Sequence, residues 1–232
     1  KEEMMNYIDT FERVEHKYLM STKQAHQFYE QIEQYIQEDI YPFYSLYNIY
    51  YDSDDYRMIS HSVEGPLYKE KLRIRSYGDI RNNAYIYAEM KKKYNGIVYK
   101  RRIQIPVAQI KEAMNSDLQI GKELAYMKDF YNAKEKVFIV YDRYAFVAKN
   151  EKDVRITFDT NIRYRLDQLI LTDDAEDISL LEKNTVLVEI KVMDRYPLWL
   201  LNALHAVNAT RTSFSKYGKI YTNIIQERTQ HV

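Results

Sequence analysis

Hydrophobic and polar positions alternate along much of this chain, and a period of two is typical of half-buried β-strands. The alternating runs cover residues 11–20, 44–52, 68–76, 84–92, 97–105, 136–149, 154–165 and 185–192. Short turns such as Tyr94-Asn95-Gly96 join several of them. Many strands of this kind predict antiparallel meanders that close or nearly close into a barrel.

Helical spacing of apolar residues replaces this alternation in a few places. From Thr22 to about Glu38, apolar residues such as Phe28 and Ile32 form one stripe, and Ser21 is suited to cap the helix. Further helical patterns cover residues 107–114, 122–131 and 198–207. These segments read as packing helices, so the candidate chemistry lies on the strands.

The two patterns together predict an α+β, mainly β domain with flanking helices. A chain of 232 residues with 46% hydrophobic content is long enough to bury a full core. No internal repeat, low-complexity tract or linker interrupts it, so residues 1–232 are expected to form a single domain.

Charge and cysteine content narrow the function classes. The 34 Lys and Arg residues balance 34 Asp and Glu residues, so the overall charge does not favour nucleic acid as a partner. The absence of cysteine excludes disulfides and thiolate metal sites and favours a reducing compartment. No apolar run reaches about 18 residues, and the first ten lack the apolar region of a signal peptide. We therefore expect a cytoplasmic chain that does not insert into a membrane.

Cations recur on one face of strand after strand. Lys71, Arg73 and Arg75 alternate with Leu72 and Ile74, so the three cations share a face. The other strands place charged residues at the same spacing: Glu15 and Lys17, Glu89 and Lys91, Arg143, Arg155, and Glu189 and Lys191. For any single strand, the alternative is an ordinary solvent-exposed polar face. The repeated occurrence of Arg and Lys on these strands favours a shared function over a set of separate solvent-exposed faces.

Cations that converge inside a barrel would repel one another unless a multivalent anion filled the space. Arg binds phosphate oxygens in bidentate fashion, Lys supplies a point charge, and interspersed carboxylates suit a hard divalent cation. The pattern therefore predicts a site for a polyphosphate-like anion with Mg²⁺ or Mn²⁺. No glycine-rich phosphate loop is present, so P-loop and Rossmann nucleotide binding are unsupported.

Eight short stretches carry a family resemblance, in family order: residues 13–18, 72–75, 89–91, 99–101, 141–143, 154–157, 188–191 and 214–217. Together they resemble the VTC-type polyphosphate polymerase domain, a branch of the CYTH or triphosphate tunnel metalloenzyme superfamily. The resemblance implies an eight-stranded antiparallel β-barrel tunnel with flanking helices. It also implies an ATP-dependent polyphosphate polymerase that transfers the γ-phosphate to a growing chain and releases ADP.

The resemblance also implies roles for individual residues. The catalytic cations would be Arg73, Arg75, Lys91, Arg143 and Arg155. The phosphate-binding residues would be Lys17, Lys100, Lys191, Ser215 and Lys216. Glu189 would bind Mn²⁺ or Mg²⁺, with Glu89 and Glu15 as weaker metal candidates. Arg13 stands where the wider superfamily often has a Glu, which favours the polymerase branch over a simple triphosphatase. Ser213 stands where the polymerase family often has a Lys.

The implied partners are ATP and polyphosphate, with no nucleic acid. Association with a membrane would require a membrane-protein companion subunit. Two other functions stay open at this point. One is a tunnel inorganic triphosphatase or other nucleotide-processing enzyme, and the second is a non-catalytic sensor that binds polyphosphate or nucleotide without turnover.

Overall fold

The computed structural model describes residues 6–11, 14–65, 67–95, 97–112, 119–151 and 153–230. The strands are β1 (Asn6–Phe11), β2 (Val14–Ser21), β3 (Ile36–Asp52), β4 (Tyr68–Tyr77), β5 (Tyr85–Tyr94), β6 (Ile97–Pro106), β7 (Lys134–Ala148), β8 (Arg155–Arg165), β9 (Ile178–Ser179), β10 (Thr185–Val192) and β11 (Arg211–Thr212). The α-helices are α1 (Thr22–Ile32), α2 (Arg57–Glu64), α3 (Gln119–Phe130), α4 (Leu198–Ala206) and α5 (Lys216–Gln230). Short 3-10 helices cover Ile80–Asn82 and Val107–Glu112.

The strands form one antiparallel sheet in the order β1-β6-β5-β4-β3-β7-β8-β10-β2-β11, and β9 pairs with β8. This confirms a mainly β, antiparallel architecture with flanking helices. The expected closed eight-stranded barrel is wrong, because the ladder is open and runs through ten strands. The predicted first strand is divided into β1, which pairs with β6, and β2, which pairs with β10 and β11.

The open sheet is nevertheless strongly curled. β1 lies at one end of the ladder and β2 lies next to its other end, yet β1 ends at Phe11 and β2 begins at Val14. A chain spans at most about 3.6 Å per residue, so these strand ends lie within about 11 Å of each other. The sheet therefore has a concave face, which we call the inner face.

Three apolar clusters position the helices around this sheet. On the outer face, Leu124 of α3 packs with Leu72 and Ile103, and a second cluster joins α1 and α4 to β2, β8 and β10. On the inner face, Tyr217 and Ile220 of α5 pack against strand residues of β3, β7, β8 and β10. Thus α5 occupies the same side of the sheet as Arg73 and Arg75.

Helix α1 begins as the sequence predicts and ends earlier. Ser21 forms a capping box with Gln24. The expected extension to about Glu38 is wrong, because Ile36 begins β3 and pairs with Ala148 of β7. Ile36 is buried in the cluster that includes α1 and α4. Its apolar side chain suits either element, and pairing with β7 selects the strand.

Helices α2 and α5 were not predicted. The carboxylate of Asp52 accepts hydrogen bonds from the backbone N–H groups of Met58 and Ile59 and from the hydroxyl of Tyr217. One buried side chain at the end of β3 thus links both helices. The helical pattern at residues 107–114 is a 3-10 helix as far as Glu112, and residues 113 and 114 lie outside the described ranges. None of the helices in the described ranges is long and apolar enough to cross a membrane.

Candidate functional site

The inner face of β4, β5 and β6 carries a row of three lysines. Lys71 lies directly opposite Lys91, and Lys91 lies directly opposite Lys100. Side chains in such pairs have Cβ atoms about 5 Å apart, so the three lysine side chains leave the sheet next to one another. Together with Tyr50, Arg73 and Glu89 they line a cavity of about 30 Å³. The predicted like charges therefore do face a shared interior space.

Glu89 provides the counter-charge next to this row. Its carboxylate lies 2.7 Å from Nε of Arg73, 3.0 Å from Nζ of Lys100 and 3.8 Å from Arg75. Burial acts to raise the pKa of Glu89, but the three cations outweigh it and hold that pKa well below its usual range. Arg75 also donates to the side-chain oxygen of Asn48 at 2.8 Å. Glu89 therefore orients both arginines as well as balancing part of their charge.

A second buried group joins β7, β8 and β10 to α5. Arg143 donates to both carboxylate oxygens of Asp159, at 2.6 and 2.7 Å, and to Glu189 at 3.1 Å. Lys216 donates to Asp159 at 2.6 Å and to Glu189 at 3.4 Å. Burial acts to lower the pKa of Lys216, but the two carboxylates raise it above its ordinary value. Both cations are thus charged and rigidly positioned.

Glu15 connects strands that are distant in the sheet. Its carboxylate lies 3.4 Å from Lys17, 3.9 Å from Lys91 and 3.9 Å from Lys191. Lys91 belongs to β5 and Lys191 to β10, and four other strands separate these two in the ladder. Burial opposes ionisation of Glu15, yet the surrounding lysines lower its pKa to about 2. This contact crosses the concave interior, so the charged residues of both halves of the sheet meet there.

Cations exceed carboxylates in this interior. Burial, followed by repulsion from nearby cations, lowers the pKa of Lys71 to about 8. Burial likewise lowers the pKa values of Lys100 and Lys191 to about 8. A lowered lysine pKa means that the ammonium form is incompletely compensated by its surroundings. A multivalent anion would supply the missing negative charge.

The start of α5 completes the site. Ser215 accepts a hydrogen bond from Lys71 at 2.9 Å and from the backbone N–H of Gly218 at 3.1 Å. Lys17 donates to the backbone oxygen of Phe214 at 3.1 Å and lies 3.6 Å from Glu189. Ser215 therefore caps α5 and places Lys216, the next residue, in the interior.

Arg155 is separate from these groups. It donates to Asp39 at 2.8 Å and to the hydroxyl of Tyr44 at 3.2 Å, and its side chain is 32% exposed. It lies on the inner face opposite Lys191 in the ladder. Arg155 therefore lies on the same face as the other cations and is about as exposed as Lys100, but it pairs with Asp39 and not with the interior carboxylates. Arg13 falls outside the described residues.

Sequence reasoning missed two residues of the interior, Asp159 and Tyr50. Asp159 follows Arg155 and Thr157 at two-residue spacing, so alternation along β8 was a usable signal. The same alternation on β4 placed Lys71 on the cationic face, although the family resemblance gave it no role. Tyr50 accepts a hydrogen bond from Arg73 at 2.9 Å, and although burial opposes ionisation, Arg73, Lys71 and Arg75 lower its pKa to about 8. Nothing local to β3 marked this tyrosine.

The carboxylates offer a partial metal site. The described residues contain no group of three or more His, Cys, Asp or Glu side chains arranged to hold a metal ion. Glu15 and Glu189 both contact Lys17, at 3.4 and 3.6 Å. Mg²⁺ is commonly held by one or two carboxylates together with substrate phosphates. Glu189 and Glu15 would supply two carboxylates of that kind, and each of them, like Glu89, already lies within 4 Å of three cations.

Comparison with known proteins agrees with this geometry. Residues 12–224 match the family described as VTC domain. No curated protein matches the sequence. Two solved structures, each described as a "putative adenylate cyclase", resemble the chain. The Bacillus halodurans protein has a TM-score of 0.58 at 12% identity, over 89% of this chain and 95% of its own. The Vibrio parahaemolyticus protein has a TM-score of 0.52 at 12% identity, over 92% and 99%. At such identity the likeness shows a shared fold and does not extend to activity.

Proposed function

The chain belongs to the VTC domain family, and from this membership and the cation-rich inner face we propose that it is an ATP-dependent polyphosphate polymerase. The family and the fold support a tunnel enzyme that binds nucleotides or triphosphates. In the proposed reaction, the terminal oxygen of a polyphosphate chain attacks the γ-phosphorus of ATP, the bond to the β-phosphate oxygen breaks, and ADP leaves.

One observation carries this proposal most directly: half-buried lysines that lack sufficient counter-charge surround a shared interior. The pKa values of Lys71, Lys100 and Lys191 are all lowered to about 8. An anion bound among them would remove much of this repulsion. Linear polyphosphate has a high density of negative charge and can extend along a curved sheet, so it suits this surface.

Phosphoryl transfer depends mostly on alignment and neutralisation of charge. Arg73 and Arg75, held by Glu89, would bind equatorial phosphate oxygens from one side. Arg143 and Lys216, held by Asp159, would bind them from the other. Because these cations are already oriented, little reorganisation is needed when charge moves during transfer.

Glu189 and Glu15 would hold Mn²⁺ or Mg²⁺ together with phosphate oxygens, and the metal would add positive charge at the transferred group. We propose that the reaction takes place in the cytoplasm, where ATP is available. A membrane-protein companion subunit would provide any association with a membrane.

The decisive experiment incubates the purified chain with ATP and either Mn²⁺ or Mg²⁺. Long-chain polyphosphate on a gel, with release of ADP, is the expected result. Orthophosphate without polymer would replace the proposal with a triphosphatase, and cyclic AMP with pyrophosphate would replace it with a cyclase. Tight binding of ATP or polyphosphate with no product would indicate a sensor.

A further inference from the structure

On the inner face of β3 to β6, the rows of charged residues lie next to rows that contain aromatic residues. One row pairs Tyr50 with Arg73 and Arg73 with Glu89. The next row pairs Asn48 with Arg75 and Arg75 with Tyr87. Tyr77 follows two residues after Arg75 on the same face, about 7 Å further along β4. The inner face thus changes from cations to tyrosines within two rows.

Three tyrosine rings from adjacent strands contact one another in this region. The ring centroids of Tyr44 and Tyr77 are 5.5 Å apart, and those of Tyr77 and Tyr87 are also 5.5 Å apart. The guanidinium of Arg102 lies 5.1 Å from the centroid of the Tyr87 ring. The rings belong to β3, β4 and β5 and form an aromatic cluster across three strands, in which the Tyr77 ring is tilted by 56° from that of Tyr44 and by 88° from that of Tyr87.

This surface is accessible, unlike the tyrosines that pack in the core. Tyr77 is 36% exposed, whereas Tyr47 on the outer face of β3 is 5% exposed. Tyr44 and Tyr87 are half-buried. The hydroxyl of Tyr44 accepts a hydrogen bond from Arg155, which links the aromatic surface to the cations on β8. A flat ligand therefore has ring area to contact immediately beside Arg75.

We infer that Tyr44, Tyr77 and Tyr87 form the base-binding end of a nucleotide site, where an aromatic base stacks while its triphosphate lies on Arg73 and Arg75. A nucleoside triphosphate combines a polyanion with a flat aromatic group, and the inner face presents the complementary surfaces side by side. Stacking of a base on an aromatic side chain is largely independent of base identity. This inference rests on the proposed use of ATP and adds that the chain distinguishes a nucleotide from an inorganic triphosphate.

The test compares two ligands by isothermal titration calorimetry on the intact chain: ATP and inorganic tripolyphosphate. Tyr77→Ala and Tyr87→Ala are the test variants, and Tyr77→Phe retains the ring. Tyr94→Ala is the matched control, because Tyr94 is 55% exposed at the far end of β5. We expect Tyr77→Ala or Tyr87→Ala to weaken ATP binding about tenfold and to leave tripolyphosphate binding unchanged. Tyr77→Phe and Tyr94→Ala should bind both ligands as the unmodified chain does.

Equal affinities in all variants, or equal weakening of both ligands in the alanine variants, would overturn the base-binding role. Thermal melting of each variant shows whether it is folded, and Tyr77 is exposed enough for its replacement to leave the core intact. The proposed function has a separate outcome. If the unmodified chain binds neither ligand, the function itself fails; if it binds both and makes polymer while the variants show no selective loss, only the base-binding role fails.

Discussion

Lys216 at the start of α5 donates a 2.6 Å hydrogen bond to Asp159 in the middle of β8. The same carboxylate receives two hydrogen bonds from Arg143, and Asp159 is fully buried. One acidic residue therefore positions two cations that the family resemblance assigns to phosphate. It also joins the last helix to the sheet, so stability and anion binding depend on the same side chain.

Asp159→Asn should therefore destabilise the chain. The change leaves Arg143 and Lys216 buried with less counter-charge, and breaking a buried ion pair costs about 3–5 kcal/mol. Urea denaturation measures the loss. Added tripolyphosphate should restore more stability to this variant than to the unmodified chain, because the anion replaces the lost charge. The exposed Asp167→Asn is the control, and an unchanged unfolding midpoint for Asp159→Asn would contradict the role.

Arg73→Ala should lower the rate of polymer formation about a hundredfold or more, since it removes a preoriented cation from the transferred phosphate. The control is Arg81→Ala, whose side chain is 58% exposed and pairs with Asp79. Far-UV circular dichroism checks that both variants are folded. Equal activity in the two variants would remove Arg73 from the site.

Lys71 should make anion binding depend on pH. Burial and neighbouring cations lower the pKa of Lys71 from 10.5 to about 8, so its amine becomes neutral as the pH rises through that value. The unfolded chain binds more protons than the folded chain between these two pKa values. The contribution of Lys71 to the free energy of unfolding therefore rises with pH between about 8 and 10.5 and has its lowest value below about pH 8. A bound anion favours the ammonium form of Lys71. The affinity for an anion should therefore fall as the pH rises through the same range.

Affinity for tripolyphosphate, measured without divalent metal between about pH 7 and pH 9, should fall as pH rises. Near pH 8, binding of tripolyphosphate should be accompanied by uptake of protons by the chain. Lys71→Gln should flatten part of this profile, whereas the exposed Lys183→Gln should leave it unchanged. A profile that is the same in all three chains would show that Lys71 does not face the anion.

Glu189→Gln separates metal binding from anion binding. If Glu189 holds the metal, this variant needs more Mn²⁺ or Mg²⁺ for turnover, while it binds tripolyphosphate at least as tightly in metal-free buffer because a negative charge is gone. Metal titrations of activity and metal-free calorimetry give the two readouts. Glu182→Gln, at an exposed position, is the control. An unchanged metal requirement would exclude Glu189 as a ligand.

Tyr217→Phe tests how α5 is held on the inner face. The hydroxyl of Tyr217 donates to Asp52 at 2.9 Å, and the same carboxylate accepts backbone N–H groups of α2. Loss of a hydrogen bond to a charged acceptor should lower the free energy of unfolding by about 1.5–3 kcal/mol. Thermal unfolding measures the loss against Tyr94→Phe. An equal melting temperature in both variants would show that Asp52 does not need the hydroxyl.

Part of the fold was accessible from local pattern. Alternation located β4 to β8 and β10 to within a few residues, because a strand with one buried face must alternate. Helix α5 was missed, although Tyr217, Ile220 and Ile224 lie three and four residues apart. They pack on the inner face between charged groups. Their segment begins with Lys216 and contains polar residues throughout, and these obscure the helical spacing of the apolar residues. The closed barrel was wrong because strand closure depends on hydrogen bonds between distant segments.

The sequence by itself determined which side chains share a face within each strand, and hence that Lys71, Arg73 and Arg75 act together. Only the tertiary structure decided which strands meet across the concave interior. Contacts such as Glu15 with Lys91 and Lys191 join residues from β2, β5 and β10. The side-chain direction in a strand is a local property of the backbone, whereas burial and charge compensation depend on strand order and curl. For that reason the contacts of Asp159 with Arg143 and Lys216, and of Tyr50 with Arg73, became visible only in the folded chain.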